Sequence, residues 1–382
     1  MASLVEVDKR VFKNFSYSLM IQLVPIFVIS SYLIYEINHH LFQKQMVYYA
    51  IAALVFFVSM FIPWRKILWW AAPLFYLLTL GLLIAVEFVG TSVLGARRWI
   101  EIPGIGVTIQ PSEFIKVSVI MLLAYLISKN PPSDKGYGLW SFIKLSLVII
   151  IPFLVIAKEP DLGTALVLLI TGYGILFIIG INWKIWLTLA IIAGIGAPIV
   201  YETGLKPYQK KRIVDALNKP SYQVRQALIA IGSGGLEGKP KDDATQTQLK
   251  FLPVSSTDFI FAYLGERLGF KGMLAVIVLY ILLIFNLLYI SAKHTNDYLI
   301  KTFASGLTFL IFVYMGVNVY MIIGMAPVVG LPLPMFSHGG TSFIIFAVIF
   351  GILQNLIAFK DYNRYTSDSK ISMISKEKPA IK

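Results

Sequence analysis

The stretch AIGSGGLEGKPKDDATQTQLKFLPVSSTDFIFAYLGERLGFKG, residues Ala230–Gly272, decides how the chain is read. Apolar runs of membrane grade flank it, yet it carries glycines, charges of both signs and an acid, Asp258, directly before an apolar helix start. Lipid offers no partners to backbone groups, so such a segment lies outside the hydrocarbon or lines a protected cavity. The reading that follows is one large aqueous loop with a carboxylate at its deep end.

Composition points the same way. Hydrophobic residues make up 57% and charged residues 14%, with a mean hydropathy of +0.76. A soluble domain has roughly 45–50% apolar and about 25% charged residues. The absence of cysteine excludes disulfides, thiol catalysis and thiolate metal sites. Four scattered histidines (His39, His40, His294, His338) argue against a histidine metal cluster. The net charge of +13 fits cytoplasmic Lys/Arg and anionic lipid or substrate, and calls for no nucleic acid. Met1–Asn14 is largely polar, and the first apolar run continues at span length rather than as a cleavable signal.

Against the roughly 20 residues a span needs, ten stretches qualify: 17–35, 46–61, 68–89, 111–127, 139–157, 162–181, 185–200, 273–290, 299–323 and 342–359. Lys9, Arg10, Lys13, Arg65, Lys66, Lys129, Lys135, Lys184, Lys293, Lys301, Lys360 and Arg364 then fall on one side, which the positive-inside rule makes cytoplasmic. The fold expected is an all-α integral membrane protein of about ten transmembrane helices. Both termini are cytoplasmic, and loop 202–272, between spans seven and eight, is extracytoplasmic. Residues 1–365 form one polytopic domain, and 366–382 a disordered cytoplasmic tail rich in charge and serine.

Each candidate residue has a plain reading beside a chemical one. Ser255 and Asp258 fit a helix start, with Ser255 as cap and the acid at the positive helix end. Asp258 equally fits a general base at the membrane interface. Glu113 and Lys116 share a helical face one turn into the fourth span, as a functional pair or a structural one. Lys158, Glu159 and Asp161 between spans five and six pose the same choice. Arg97, Arg98 and Trp99 read as an interfacial anchor or as a phosphate fork. Ile231–Gly235 lacks the context of a nucleotide loop. Ser337–Ser342 opens the last span as a helix cap after the Pro332/Pro334 turn, or as amides facing an anion.

Taken in order, these pieces resemble one family, the SEDS proteins (shape, elongation, division and sporulation). The resemblance is carried by Gly95–Trp99, Gln110–Glu113 with Lys116, Glu159–Ala165, Lys206–Gln209 with Arg212, Ala230–Gly235, Leu252–Pro253 and Thr257–Phe261. Asn318, Gly324, Pro327, Gly330, Pro332–Pro334, Ser337 and Gly339–Gly340 complete it. Lys-Pro-Tyr-Gln and Thr-Gln-x-x-Leu favour the elongation branch over the division branch. The chain departs from the pattern in the shortened 218–223 segment, in lacking Glu-x-His before Thr257, in Arg267 where a second acid is common, and in His338 where tyrosine is usual.

The resemblance implies a peptidoglycan glycosyltransferase of the bacterial cytoplasmic membrane. Such an enzyme joins units of lipid II, a disaccharide-pentapeptide on undecaprenyl diphosphate, with inversion at the outer face. It implies Asp258 as base and Arg98, Lys116 and Arg212 as cations for the diphosphate. Glu113 and Asp161 orient these cations or hold a divalent ion such as Mg2+ or Mn2+, and Ser337 joins the substrate site. The implied partners are a class B penicillin-binding protein with transpeptidase activity and other elongation-complex proteins. Two rival readings stay open from the residues alone: a flippase for the same lipid-linked precursor, and a non-catalytic scaffold.

Overall fold

The computed structural model describes residues 13–93, 96–102, 107–159, 161–204, 210, 221–249 and 251–360. Arg212, the 205–209 and 211–220 segments and the 366–382 tail lie outside the described residues. Among the described residues seven long helices precede the large loop: α1 Tyr17–Ile37, α2 His39–Phe61, α3 Trp64–Val89, α4 Pro111–Lys129, α5 Leu139–Lys158, α6 Leu162–Ile179 and α7 Trp183–Ile199. The loop contains α8, Tyr222–Gly234, and is followed by α9 Ile260–Lys293, α10 Tyr298–Ile322 and α11 Gly340–Ala358. Among the described residues nine helices are long and apolar enough to cross a membrane, and α7 is a tenth apolar helix of 17 residues. The all-α membrane architecture read from the sequence is therefore the architecture observed.

Burial separates an inner set of helices from an outer one. In their most apolar windows, α4 is 72% and α11 78% buried, against 28% for α3 and α5. Hydropathy does not explain this, because α5 is more apolar than α4. Lipid is as apolar as leucine, so helices meet through close packing and hydrogen bonds rather than by hiding from water. Thr79 pairs with Ser118 at 2.8 Å across α3 and α4, and Ser291 with Ser305 at 2.9 Å across α9 and α10. Asn355 donates to the Met60 carbonyl at 2.6 Å, tying α11 to α2. Helix α7 has no buried residue and stands at the edge of the bundle.

Two local features differ from the sequence reading. The 91–109 stretch is an antiparallel three-stranded sheet, β1 Thr91–Val93, β2 Ala96–Ile102 and β3 Val107–Ile109, in the order β1-β2-β3. At three residues each, β1 and β3 are too short for alternation to declare them in sequence. Second, no side chain caps α9: its cap position is Phe259, so neither Ser255 nor Asp258 is the helix cap that spacing suggested. Helix α9 is also broken at Gly269, whose φ of 63° and ψ of −165° leave the helical region. Only glycine takes that conformation without strain, and here it lets the chain turn from a buried segment, 260–268, into the lipid-exposed span.

Chain alternation sets the sheet, the junction of α5 and α6, α8 and the 323–339 segment at one end of the bundle. The basic turns collect at the other end, where Arg65 bridges Asp297 at 2.5 Å and donates to the Leu356 carbonyl.

Candidate functional site

A cavity of about 560 Å³ opens at the end that carries the long loop. Arg98 and Trp99 reach it from β2, Gln110 and Glu113 from the start of α4, and Asp161 and Thr164 from the start of α6. Thr257 and Asp258 enter from the approach to α9, and 328–332 and 338–342 close the remaining side. Six separate stretches thus converge on one space.

Asp258 is held by its backbone and left open at its side chain. Asn318, fully buried in α10, donates from Nδ2 to the Asp258 carbonyl at 2.8 Å and to the Leu331 carbonyl at 2.7 Å. Ser337 Oγ donates to the Thr257 carbonyl at 2.7 Å and accepts from the Leu333 amide at 2.8 Å. The His338 amide donates to the Ser256 carbonyl at 2.9 Å. Val254, a β-branched residue, sits at φ 55° within this turn, a strained conformation of the kind that persists where the surroundings over-determine it. The Asp258 carboxylate itself has no hydrogen-bond partner among the described residues, and burial pushes its pKa up to about 6. Gly330, at φ 69°, faces it: a Cβ there would lie 3.6 Å from Asp258 Oδ2.

Across the cavity the charges are paired but not closed. Arg98 Nη1 lies 3.6 Å from Asp161 Oδ1, which also accepts from the Thr164 amide at the start of α6. Asp161 is 2% exposed, and its second oxygen has no partner. Burial, reinforced by Asp161, pushes the Glu159 pKa up to about 8, so this neighbour is neutral at pH 7. His338 Nδ1 is likewise buried without a partner, and burial, with the charge of Lys44, lowers its pKa, leaving the ring neutral.

The remaining sequence candidates sit elsewhere. Lys116 is 1% exposed and is not a lining residue; its ammonium lies 2.5 Å from Glu113 Oε1 and bonds the Tyr314 hydroxyl. Tyr314 in turn donates to both Glu113 oxygens, so Glu113 faces the cavity with its charge already matched from behind. Ser337, 3% exposed, bonds the Thr257 carbonyl and does not line the cavity. Asn318 was part of the resemblance with no role attached; an amide inside an apolar helix is the signal that marks it. Nothing in the spacing revealed the clamp of Glu36 on α1, whose carboxylate takes Arg267 Nη2 at 2.6 Å, Nε at 2.8 Å and the Tyr263 hydroxyl at 3.2 Å.

Residues 9–362 match the cell cycle protein family of FtsW, RodA and SpoVE. The chain belongs to that family. A peptidoglycan glycosyltransferase MrdB from Helicobacter pylori is 48% identical over 361 residues, covering 94% of this chain and 94% of that protein. The rod shape determining protein RodA of Thermus thermophilus has a crystal structure similar to this fold with a TM-score of 0.67 at 25% identity, over 91% of this chain and 97% of that one. A structure reported as the structural coordination of polymerization and crosslinking by a peptidoglycan synthase complex aligns with a TM-score of 0.77 at 24% identity, over 92% of this chain and 98% of that chain. The SEDS resemblance drawn from the motifs is thus the family membership found.

Proposed function

We propose that this chain is a peptidoglycan glycosyltransferase that lengthens glycan strands from lipid II, with Asp258 as its general base. The observation that carries the residue assignment is a carboxylate with a pKa of about 6, without a side-chain partner, in a cavity that Arg98 also reaches. A base works best when its pKa lies near the working pH. The acceptor hydroxyl gives its proton to Asp258 while its oxygen bonds the anomeric carbon of the growing chain. The bond from that carbon to the lipid diphosphate breaks, and the diphosphate leaves with the electron pair toward the Arg98 guanidinium. Attack opposite the leaving group inverts the anomeric centre.

The other residues support these two groups. Lys116 and Tyr314 fix Glu113, and Asn318 and Ser337 fix the turn bearing Asp258. With Asp258 kept as the base, a divalent cation such as Mg2+ or Mn2+ would find the unpartnered Asp161 Oδ2 here, and would offset charge on the departing diphosphate. Mg2+ commonly takes one or two carboxylates together with substrate phosphates. Glu113 suits that role poorly, because Lys116 and Tyr314 occupy its oxygens.

The positive-inside rule supports a cytoplasmic basic end and termini, with the Asp258 cavity facing outward. The family supports a class B penicillin-binding protein as the crosslinking partner and other elongation-complex proteins around it. The deciding experiment gives purified protein lipid II with no nucleotide or other energy source and reads glycan length on a gel. Strand growth is expected; transbilayer movement of lipid II without strand growth would select the flippase instead. A reporter inserted near Lys241 should be active only outside the cell, and one fused after Tyr365 only in the cytoplasm.

A further inference from the structure

The opposite end of the bundle holds a second cavity, of about 270 Å³, between the segment preceding α1, the last turns of α9 and the end of α11. Lys13, Lys293 and Lys360 line it, and among the described residues no Asp or Glu does. Asp297, in the adjoining turn, is already engaged by Arg65 and by the Ile300 amide. The walls are fixed by polar contacts. The Ser16 amide donates to Gln354 Oε1 at 3.1 Å, and Gln354 Nε2 returns a bond to the Ser16 carbonyl at 2.9 Å. Asn286 Nδ2 donates to Ser18 at 3.0 Å and to Gln22 at 2.9 Å. His294 Nδ1 lies 2.9 Å from the Ile290 carbonyl, a pairing in which the ring must donate. Tyr17 and Tyr289, 55% and 62% exposed, rim the cavity, and exposed tyrosines at a helix end mark the level of lipid headgroups.

Lysines near the ends of α9 and α11 also complement the helix dipoles. That accounts for their sign but not for a walled space between them. We propose that this cavity binds the phosphate headgroup of an anionic phospholipid, with Lys13, Lys293 and Lys360 as its counter-charges. The proposal stands apart from the glycosyltransferase reading, because none of these residues reaches the Asp258 cavity.

The test uses the full chain purified from nanodiscs of phosphatidylcholine mixed with phosphatidylglycerol, with retained lipid counted by native mass spectrometry. The K13Q/K293Q/K360Q protein should hold phosphatidylglycerol on the order of a hundredfold more weakly, from the usual strength of lysines at an anionic surface. K129Q/K184Q/K301Q, which removes equal charge outside this cavity, and K13R/K293R/K360R, which keeps the charge, should both retain it. Equal loss in the two glutamine variants, or loss in neither, would overturn the site. Displacement of the lipid by millimolar inorganic phosphate would overturn the lipid assignment in favour of a soluble phosphate.

Discussion

Two buried clusters of charge lie toward the same end of this protein and are built to opposite rules. In the Glu36 cluster every charged group is matched: Arg267 forks onto both Glu36 oxygens, Tyr263 adds a third bond, Tyr32 accepts from Nη2, and the Lys239 carbonyl accepts from Nη1. It ties α1, α9 and the long loop together. In the Asp258 cavity Asn318, Ser337 and the His338 amide hold the 256–258 backbone, but among the described residues the Asp258 carboxylate has no hydrogen-bond partner, and Asp161 Oδ2 and His338 Nδ1 are unmatched. A satisfied cluster adds rigidity; unsatisfied groups in a cavity leave room for an incoming partner. The difference sets a structural ion pair apart from the proposed reactive site where composition and burial alone do not.

The largest expected effect is on the satisfied side. Glu36→Ala leaves Arg267 buried without its carboxylate, and removing one member of such a pair costs about 3–5 kcal/mol. Thermal unfolding in detergent should show a large drop in stability. A drop as small as that of an exposed charge substitution would erase the contrast.

Asp258→Asn should move stability the other way. Its pKa is raised from 3.8 to about 6 by burial, so folding disfavours the ionised form. Stability from this group is present below pH 4 and lost as pH rises through about 6. Above that, asparagine should stabilise by up to about 3 kcal/mol, and the advantage should vanish as pH falls toward 4. A destabilised Asp258→Asn protein at pH 7.5 would contradict the reading of an unsatisfied carboxylate.

The pH profile of kcat/KM sharpens the comparison. Activity should climb about tenfold per pH unit up to pH about 6 as Asp258 ionises. It should decline above about 8, where Glu159 ionises beside Asp161. Glu159→Gln should remove the alkaline decline and leave the acid limb in place. An unchanged alkaline limb would show that Glu159 has no electrical contact with the site.

Ser337→Ala should have the smallest effect, about 1–2 kcal/mol of stability, from the loss of its bonds to the Thr257 carbonyl and Leu333 amide. Activity should fall with it only modestly, since Asn318 still holds the Asp258 carbonyl.

Legibility followed physical range. Spans are long apolar runs, so α1–α7 and α9–α11 stood out one by one, and Asp258 stood out as an acid where polar loop meets apolar helix. Glu113 and Lys116 declared their pairing because they lie one turn apart. Tyr314, which completes that trio, is 198 residues from Lys116, and no local pattern joins them. The Glu36–Arg267 clamp spans 231 residues and was hidden for the same reason. The cap assigned to Ser255 failed because three-residue spacing describes a helix start, while the chain here makes a strained turn at Val254 before the helix begins.

The central claim is tested most directly by polymerisation of lipid II by purified Asp258→Asn, measured beside its melting curve. The Asp258→Asn protein should be at least as stable as the unaltered chain at pH 7.5, with strand synthesis reduced by about 10²–10⁴-fold, the usual share of a general base. Synthesis within a few-fold of the unaltered protein would contradict it.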